Sequence, residues 1–190
     1  AHNTHGVVLR HFGRADEAIA AFERAIELDP AATIYRNNLG GVLADRGDLE
    51  EALEAFEQAI AREPNRLLYL RNRGNVLAQM QAWDRALAAF RRAAEVAPED
   101  GETLAKIGRV LFQLGRFEEA VAYLEKGIER LEEDPGQRAH LVSLVRTVRE
   151  RVDWARKADA VLRDELEPED AAEWMRLAGV CRTTRRLVAA

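Results

Sequence analysis

Residues 39–64, LGGVLADRGDLEEALEAFEQAIAREP, decide the fold. In the second half of this stretch Ala52, Leu53, Phe56, Ala59 and Ile60 recur at helical intervals and form one apolar stripe, with Glu50, Glu51, Glu54, Glu57 and Arg62 mostly opposite. That pattern is an amphipathic helix. Upstream, Leu39, Gly40, Val42 and Leu43 make a second apolar face, and Gly47 after Asp45-Arg46 supplies a residue that tolerates the left-handed conformation ending a helix. Asp48 is the expected N-cap of the second helix. That helix stops at Glu63-Pro64, because the residue before a proline avoids helical geometry. The stretch therefore reads as two helices joined by a tight turn.

The same hairpin recurs along the chain. Gly6, Gly40, Gly74 and Gly108 stand 34 residues apart, and Ala18, Ala52, Ala86 and Ala120 keep that interval. So do Phe22, Phe56, Phe90 and Leu124, then Ala25, Ala59, Ala93 and Gly127, then Pro30, Pro64 and Pro98. A fixed period of this length is the mark of a repeat architecture. The small residues are expected to let neighbouring helices approach closely, with the phenylalanines filling the volume between them. Gln81 stands where Gly13, Gly47 and Gly115 stand in the other units, which predicts a slightly different turn there.

These residues resemble the tetratricopeptide repeat, whose pattern is a Trp-x-x-Leu-Gly-x-x-Tyr first helix, then Ala, Phe and Ala on the second, closed by Pro. Leu39-Gly40, Leu43, Ala52, Phe56, Ala59 and Pro64 form the clearest copy. The resemblance implies an all-α fold, a right-handed α-α superhelix in which antiparallel helix pairs stack as a solenoid. Four regular repeats are expected over 1–32, 33–66, 67–100 and 101–134, a degenerate fifth over 135–168, and the first helix of a further repeat over 169–190. The fifth has no glycine between its apolar clusters, Leu141 to Val148 and Trp154 to Leu162, so it reads either as two helices or as one long bent helix. Trp174, Leu177, Ala178 and Cys181 fall on the Trp, Leu, Gly and Tyr positions of the pattern, and Ala190 falls where its next Ala belongs. Together with a start at Ala1 rather than Met, this reads as a piece of a longer protein.

Composition narrows the function classes. With 190 residues, 47% hydrophobic, 32% charged and 5 prolines, the chain reads as ordered and soluble. Its apolar runs are far shorter than the ~18 residues of a membrane span. One cysteine, Cys181, forms no internal disulfide or zinc site, which fits a reducing, cytoplasmic setting. Residues 1–135 carry 17 Lys and Arg against 24 Asp and Glu, a net of −7, while residues 136–190 carry 11 against 9, a net of +2. An acidic chain with a pI near 5.5 offers no broad basic footprint, so nucleic acid is not an expected partner.

Nothing in the sequence reads as catalytic, and no cofactor is expected. His2 and His5 could share a helix face but lack a third metal ligand. Glu50-Glu51 and Glu118-Glu119 point about 100° apart on a helix and cannot act together on one bond. Cys181 occupies a core position, and Gly40-Gly41 lies inside a helix rather than in a phosphate-binding loop.

What remains is surface. In the family, first helices line a concave groove that receives a peptide, and the resemblance places Asn38, Arg71, Asn72, Asn75, Gln79, Lys106, Arg109 and Gln113 on it. The groove is thus expected to be rich in amides and basic toward the later repeats. Asn38 and Asn72 resemble the asparagine ladder of O-linked N-acetylglucosamine transferase, whose amides match the donor and acceptor of a peptide unit. The carboxylate clamp for chaperone C-termini is met at Arg71 and Asn75 but broken by Lys106. The expected function is a non-enzymatic protein-interaction module whose ligand is a peptide segment or partner domain, acidic or with a free C-terminal carboxylate. Two alternatives stand beside it: a substrate-recruiting part of a larger enzyme such as a glycosyltransferase, and a self-assembling scaffold joined through Trp174, Leu177 and Leu187.

Overall fold

In the computed structural model of the protein, residues 2–131, 135–163, 166–170 and 172–179 are described. Among them all regular secondary structure is helical. The chain divides into two compact units, Ala1–Pro98 and Glu99–Ala190. The first holds α1 (His2–His11), α2 (Ala15–Leu28), α3 (Thr33–Arg46), α4 (Leu49–Arg62), α5 (Leu67–Gln79) and α6 (Trp83–Val96). The second holds α7 (Gly101–Gln113), α8 (Phe117–Arg130), α9 (Pro135–Leu162) and a further helical segment over 172–179.

Within the first unit each helix packs against its neighbour in sequence, α1 on α2 through α5 on α6. The contact that sets each pair is a glycine of the first helix against an aromatic ring of the second. A methyl group on Gly74 would lie 2.5 Å from the Phe90 ring, one on Gly6 2.8 Å from Phe22 and one on Gly40 3.0 Å from Phe56. Phe22, Phe56 and Phe90 are almost wholly buried, and Ala18, Ala52 and Ala86 are fully so. Burying each ring contributes about 1.5–3 kcal/mol, on condition that the partner helix carries no Cβ at that point. The second unit repeats the arrangement with an aliphatic partner: a methyl on Gly108 would lie 2.6 Å from Leu124.

The turns inside the pairs are one structure repeated four times. The N–H groups of Arg14, Asp48, Ala82 and Arg116 donate to the carbonyls of Leu9, Leu43, Leu77 and Leu111, at 2.9–3.0 Å, closing each first helix with a Schellman motif. The left-handed residue is Gly13 (φ 72°), Gly47 (φ 99°) or Gly115 (φ 74°) in three of them and Gln81 (φ 57°) in the other. The expectation of a different turn at Gln81 is thereby corrected. The closing hydrogen bonds and the packing around them hold glutamine in a conformation that costs a side-chain-bearing residue about 1–2 kcal/mol.

Asp48 also departs from expectation. It occupies the N-cap position of α4, but its side chain makes no capping bond and instead accepts from the Arg46 guanidinium. The second helices α2, α4, α6 and α8 all begin without a side-chain cap, and acidic residues in their first turns offset the positive helix end. This gives Glu50-Glu51 and Glu118-Glu119 a structural role. Asp100, by contrast, caps α7 by accepting from the Thr103 N–H at 2.9 Å.

α9 runs as a single helix of 28 residues, which resolves the two readings of this stretch in favour of one helix. Its buried residues Leu141, Val145, Val148 and Val152 follow one stripe that packs on α8. The segment 172–179 begins with a capping arrangement. The Glu173 N–H donates to Asp170 at 2.7 Å, and the Glu173 carboxylate accepts from the Glu169 N–H at 2.6 Å. Glu173 is buried at 8% exposure and also pairs with Lys157 of α9. That hydrogen bond, aided by the Glu169 N–H, holds the Glu173 carboxyl below its ordinary value, and Glu173 in turn raises the Lys157 ammonium. Lys157 and the Arg176 guanidinium each lie 5.8 Å from the Trp154 ring centroid.

Three outcomes are expected. Gly74→Ala should lower the melting temperature, because overpacking against Phe90 (about 1–3 kcal/mol) outweighs the ~1 kcal/mol gained in helix propensity. Gly41→Ala meets only the half-exposed Arg10 guanidinium and should raise it; equal melting temperatures would refute the packing account. Gln81→Gly should stabilise the protein by about 1 kcal/mol in denaturant titration, the cost of a left-handed glutamine; no gain would mean the side chain compensates for that cost. The Lys157–Glu173 tie has its sign fixed by the two shifts. The lowered Glu173 contributes fully above pH about 4.5 and loses its contribution as pH falls through its folded value, while the raised Lys157 contributes below about 10.5 and loses it as pH rises further. Tryptophan emission should therefore change on the acid side below about pH 4.5, and Glu173→Gln should abolish that step; an unchanged step would place it elsewhere.

Candidate functional site

In the first unit the expected groove residues Asn38 and Asn72 join Asn3 and Asn37 in a hydrogen-bonded row of amides along α1, α3 and α5. Asn72 donates to Asn37 Oδ1 at 2.8 Å, Asn37 donates to Asn38 Oδ1 at 3.4 Å, and Asn38 donates to Asn3 Oδ1 at 2.8 Å. Asn37 is buried at 5% exposure and its bond to Asn38 connects the two 2.8 Å links between helices, while Asn38 and Asn72 are half-buried. The two side chains expected to be rungs of a ladder, Asn38 and Asn72, are thus each already bonded to Asn37. Each amide still has an N–H or a lone pair to spare, since it carries two donors and two acceptor sites. Arg71 is half-buried and already partnered, Asn75 is half-buried, and Gln79 is exposed.

In the second unit Lys106 and Arg109 of α7 face a cleft of about 430 Å³ against the start of α9. His140 and Gln137 of α9 line its other wall, and Leu131 and Leu141 supply apolar surface. Lys106 is half-buried and Arg109 and His140 are exposed, so two cationic side chains and an imidazole form a rim over an aliphatic floor. Further along α9 the Arg151 guanidinium stacks 5.5 Å from the Phe112 ring centroid of α7. Gln113 is exposed at the end of α7. This arrangement suits an anionic group that also carries apolar surface.

His140, to which the sequence reading gives no role, lines this cleft. The signal that would have found it is the repeat period itself, since His140 stands 34 residues after Lys106. Asn3 and Asn37 stand 34 residues apart at one position of successive first helices, so the period itself places them on the same face. Of the residues expected to carry self-association, Trp174 is 55% exposed, Leu177 is buried at 3%, and Leu187 lies outside the described residues, as does Cys181. Among the described residues no helix is long and apolar enough to cross a membrane.

Comparison with known proteins agrees with this architecture. Two tetratricopeptide repeat family models match the chain, one over residues 3–67 and one over 65–133. No curated protein matches its sequence. Among solved structures, a crystal structure of MamA is similar with a TM-score of 0.65 at 19% identity, covering 97% of each chain. A second crystal structure of MamA protein has a TM-score of 0.60 at 20% identity, covering 87% of this chain and 94% of the other. At these identities the likeness is one of fold. The glycine–phenylalanine pairs, the four identical turns and the two matching models make the chain a member of the tetratricopeptide repeat family, a fold of protein-interaction modules.

Proposed function

We propose that the protein is a non-enzymatic peptide-binding module, and that the cleft between α7 and α9 receives a carboxylate of its ligand. The observation that carries this reading is the convergence of Lys106, Arg109 and His140 on one cleft with an aliphatic floor in an otherwise acidic protein. A carboxylate gains charge-assisted hydrogen bonds from the rim, and a neighbouring aliphatic side chain is accommodated on Leu131 and Leu141. Both an acidic side chain and a peptide C-terminus meet this description. In the first unit the amide row offers donors and acceptors suited to a peptide backbone, through Asn38 and Asn72.

A second reading is favoured by Trp174 and Met175, adjacent and 55% and 70% exposed, which present apolar surface for self-association. A sedimentation mass that rises with concentration, and returns to the monomer value in Trp174→Ser/Met175→Ser, is the outcome that reading requires.

Binding of short Asp- and Glu-rich peptides, labelled and followed by fluorescence anisotropy, tests the main reading. Lys106→Gln/Arg109→Gln should weaken it by about tenfold or more, and salt should weaken it further. Amidating the peptide C-terminus and replacing its acidic side chains with amides, in separate arms, distinguish the two carboxylate sources. Equal binding by wild-type and double-variant protein would overturn the assignment.

A further inference from the structure

The cationic rim of the α7–α9 cleft is not vacant of negative charge. Glu102, in the first turn of α7, lines the same cleft, and its carboxylate lies 3.4 Å from the Lys106 ammonium one helical turn on. Glu before Lys at this spacing is the favourable orientation, and a carboxylate near a helix N-terminus is stabilised by the helix dipole. The pair is partly shielded: the Lys106 side chain is 25% exposed and that of Glu102 44%. Screening by water is therefore weaker than for an open surface pair, and the charge of Glu102 is felt by any anion that approaches Lys106.

We infer that Glu102 is a specificity-determining residue of this cleft, a resident carboxylate that competes with the ligand's carboxylate for Lys106. This rests on the reading of the cleft as a carboxylate site. A weakly acidic or neutral ligand leaves the Glu102–Lys106 pair in place and meets only Arg109 and His140. A ligand carboxylate that reaches Lys106 must displace Glu102 or lie beside it, so binding selects ligands whose remaining contacts, on the Leu131–Leu141 floor or with Gln137, offset that repulsion. Glu102 thereby sets a threshold. It discriminates against free small carboxylates and in favour of a carboxylate carried on a larger, partly apolar segment.

The test uses the full chain with the acidic peptides above and with acetate as the small competitor. Glu102→Gln should tighten acidic-peptide binding about three- to tenfold at low salt, leave the fully amidated peptide unchanged, and make acetate a stronger inhibitor. Glu129→Gln, which removes one charge from the exposed face of α8, is the net-charge control and should change peptide affinity by less than twofold. If Glu102→Gln leaves acidic-peptide affinity unchanged or lowers it while Lys106→Gln still weakens binding, the cleft is the site and the role given to Glu102 is wrong. If Lys106→Gln also has no effect, the cleft reading itself fails. Equal gains from Glu102→Gln and Glu129→Gln would reduce the effect to net charge and overturn the proposal.

Discussion

The approach of a helix backbone to an aromatic ring, repeated every 34 residues, is the constraint on which the rest of this structure depends. Phe22, Phe56 and Phe90 bury their rings only because Gly6, Gly40 and Gly74 present no Cβ to them. Two residue types fixed at that separation determine how closely each hairpin closes. Once the hairpin is closed, its turn has one length and one left-handed residue, and within each unit equivalent positions of successive repeats fall in register. The amide row and the cationic rim are both products of that register: Asn3 and Asn37 hold equivalent positions in successive repeats, as do Lys106 and His140.

Most of the fold could be read from the residues, because glycine, alanine, phenylalanine and proline at a fixed period have few other physical uses. The failures occurred where a side chain had a choice of partner. Asp48 has the chemistry of an N-cap, but Arg46 two residues away competes for the same carboxylate and wins it. Gln81 lacks glycine's freedom, yet the Ala82-to-Leu77 hydrogen bond and the flanking helices impose the left-handed turn on it. α9 carries Arg149 at the next turn position of the period and continues through it, so the absence of glycine has opposite outcomes at 81 and 149. Local sequence does not distinguish those outcomes. At 149 the arginine pairs with Glu125 of α8 from within an unbroken helix.

The polar positions of the first helices were legible in the sequence, and their pairings were not. The family resemblance singled out Asn38, Asn72, Lys106 and Arg109 without revealing that each asparagine already has an amide partner or that Lys106 already has a carboxylate. Such pairings depend on distances across helices, which spacing along one helix does not supply. Polar side chains on a half-buried face seldom remain unpaired, since desolvating an unsatisfied donor or acceptor costs about 1–3 kcal/mol. Any molecule that bound such a surface would have to exchange partners with it as well as add to it.

The amide row of the first unit has a consequence for how that surface can vary. Each link polarises the next, so replacing Asn37 alters the donors available at Asn38 and the acceptor offered to Asn72 together. Substitutions at these positions are coupled in their effects, and their energies do not add as those of separated surface residues do. A new arrangement of this amide row is reached through paired changes across neighbouring helices, with single changes passing through a state in which a buried amide has lost its partner.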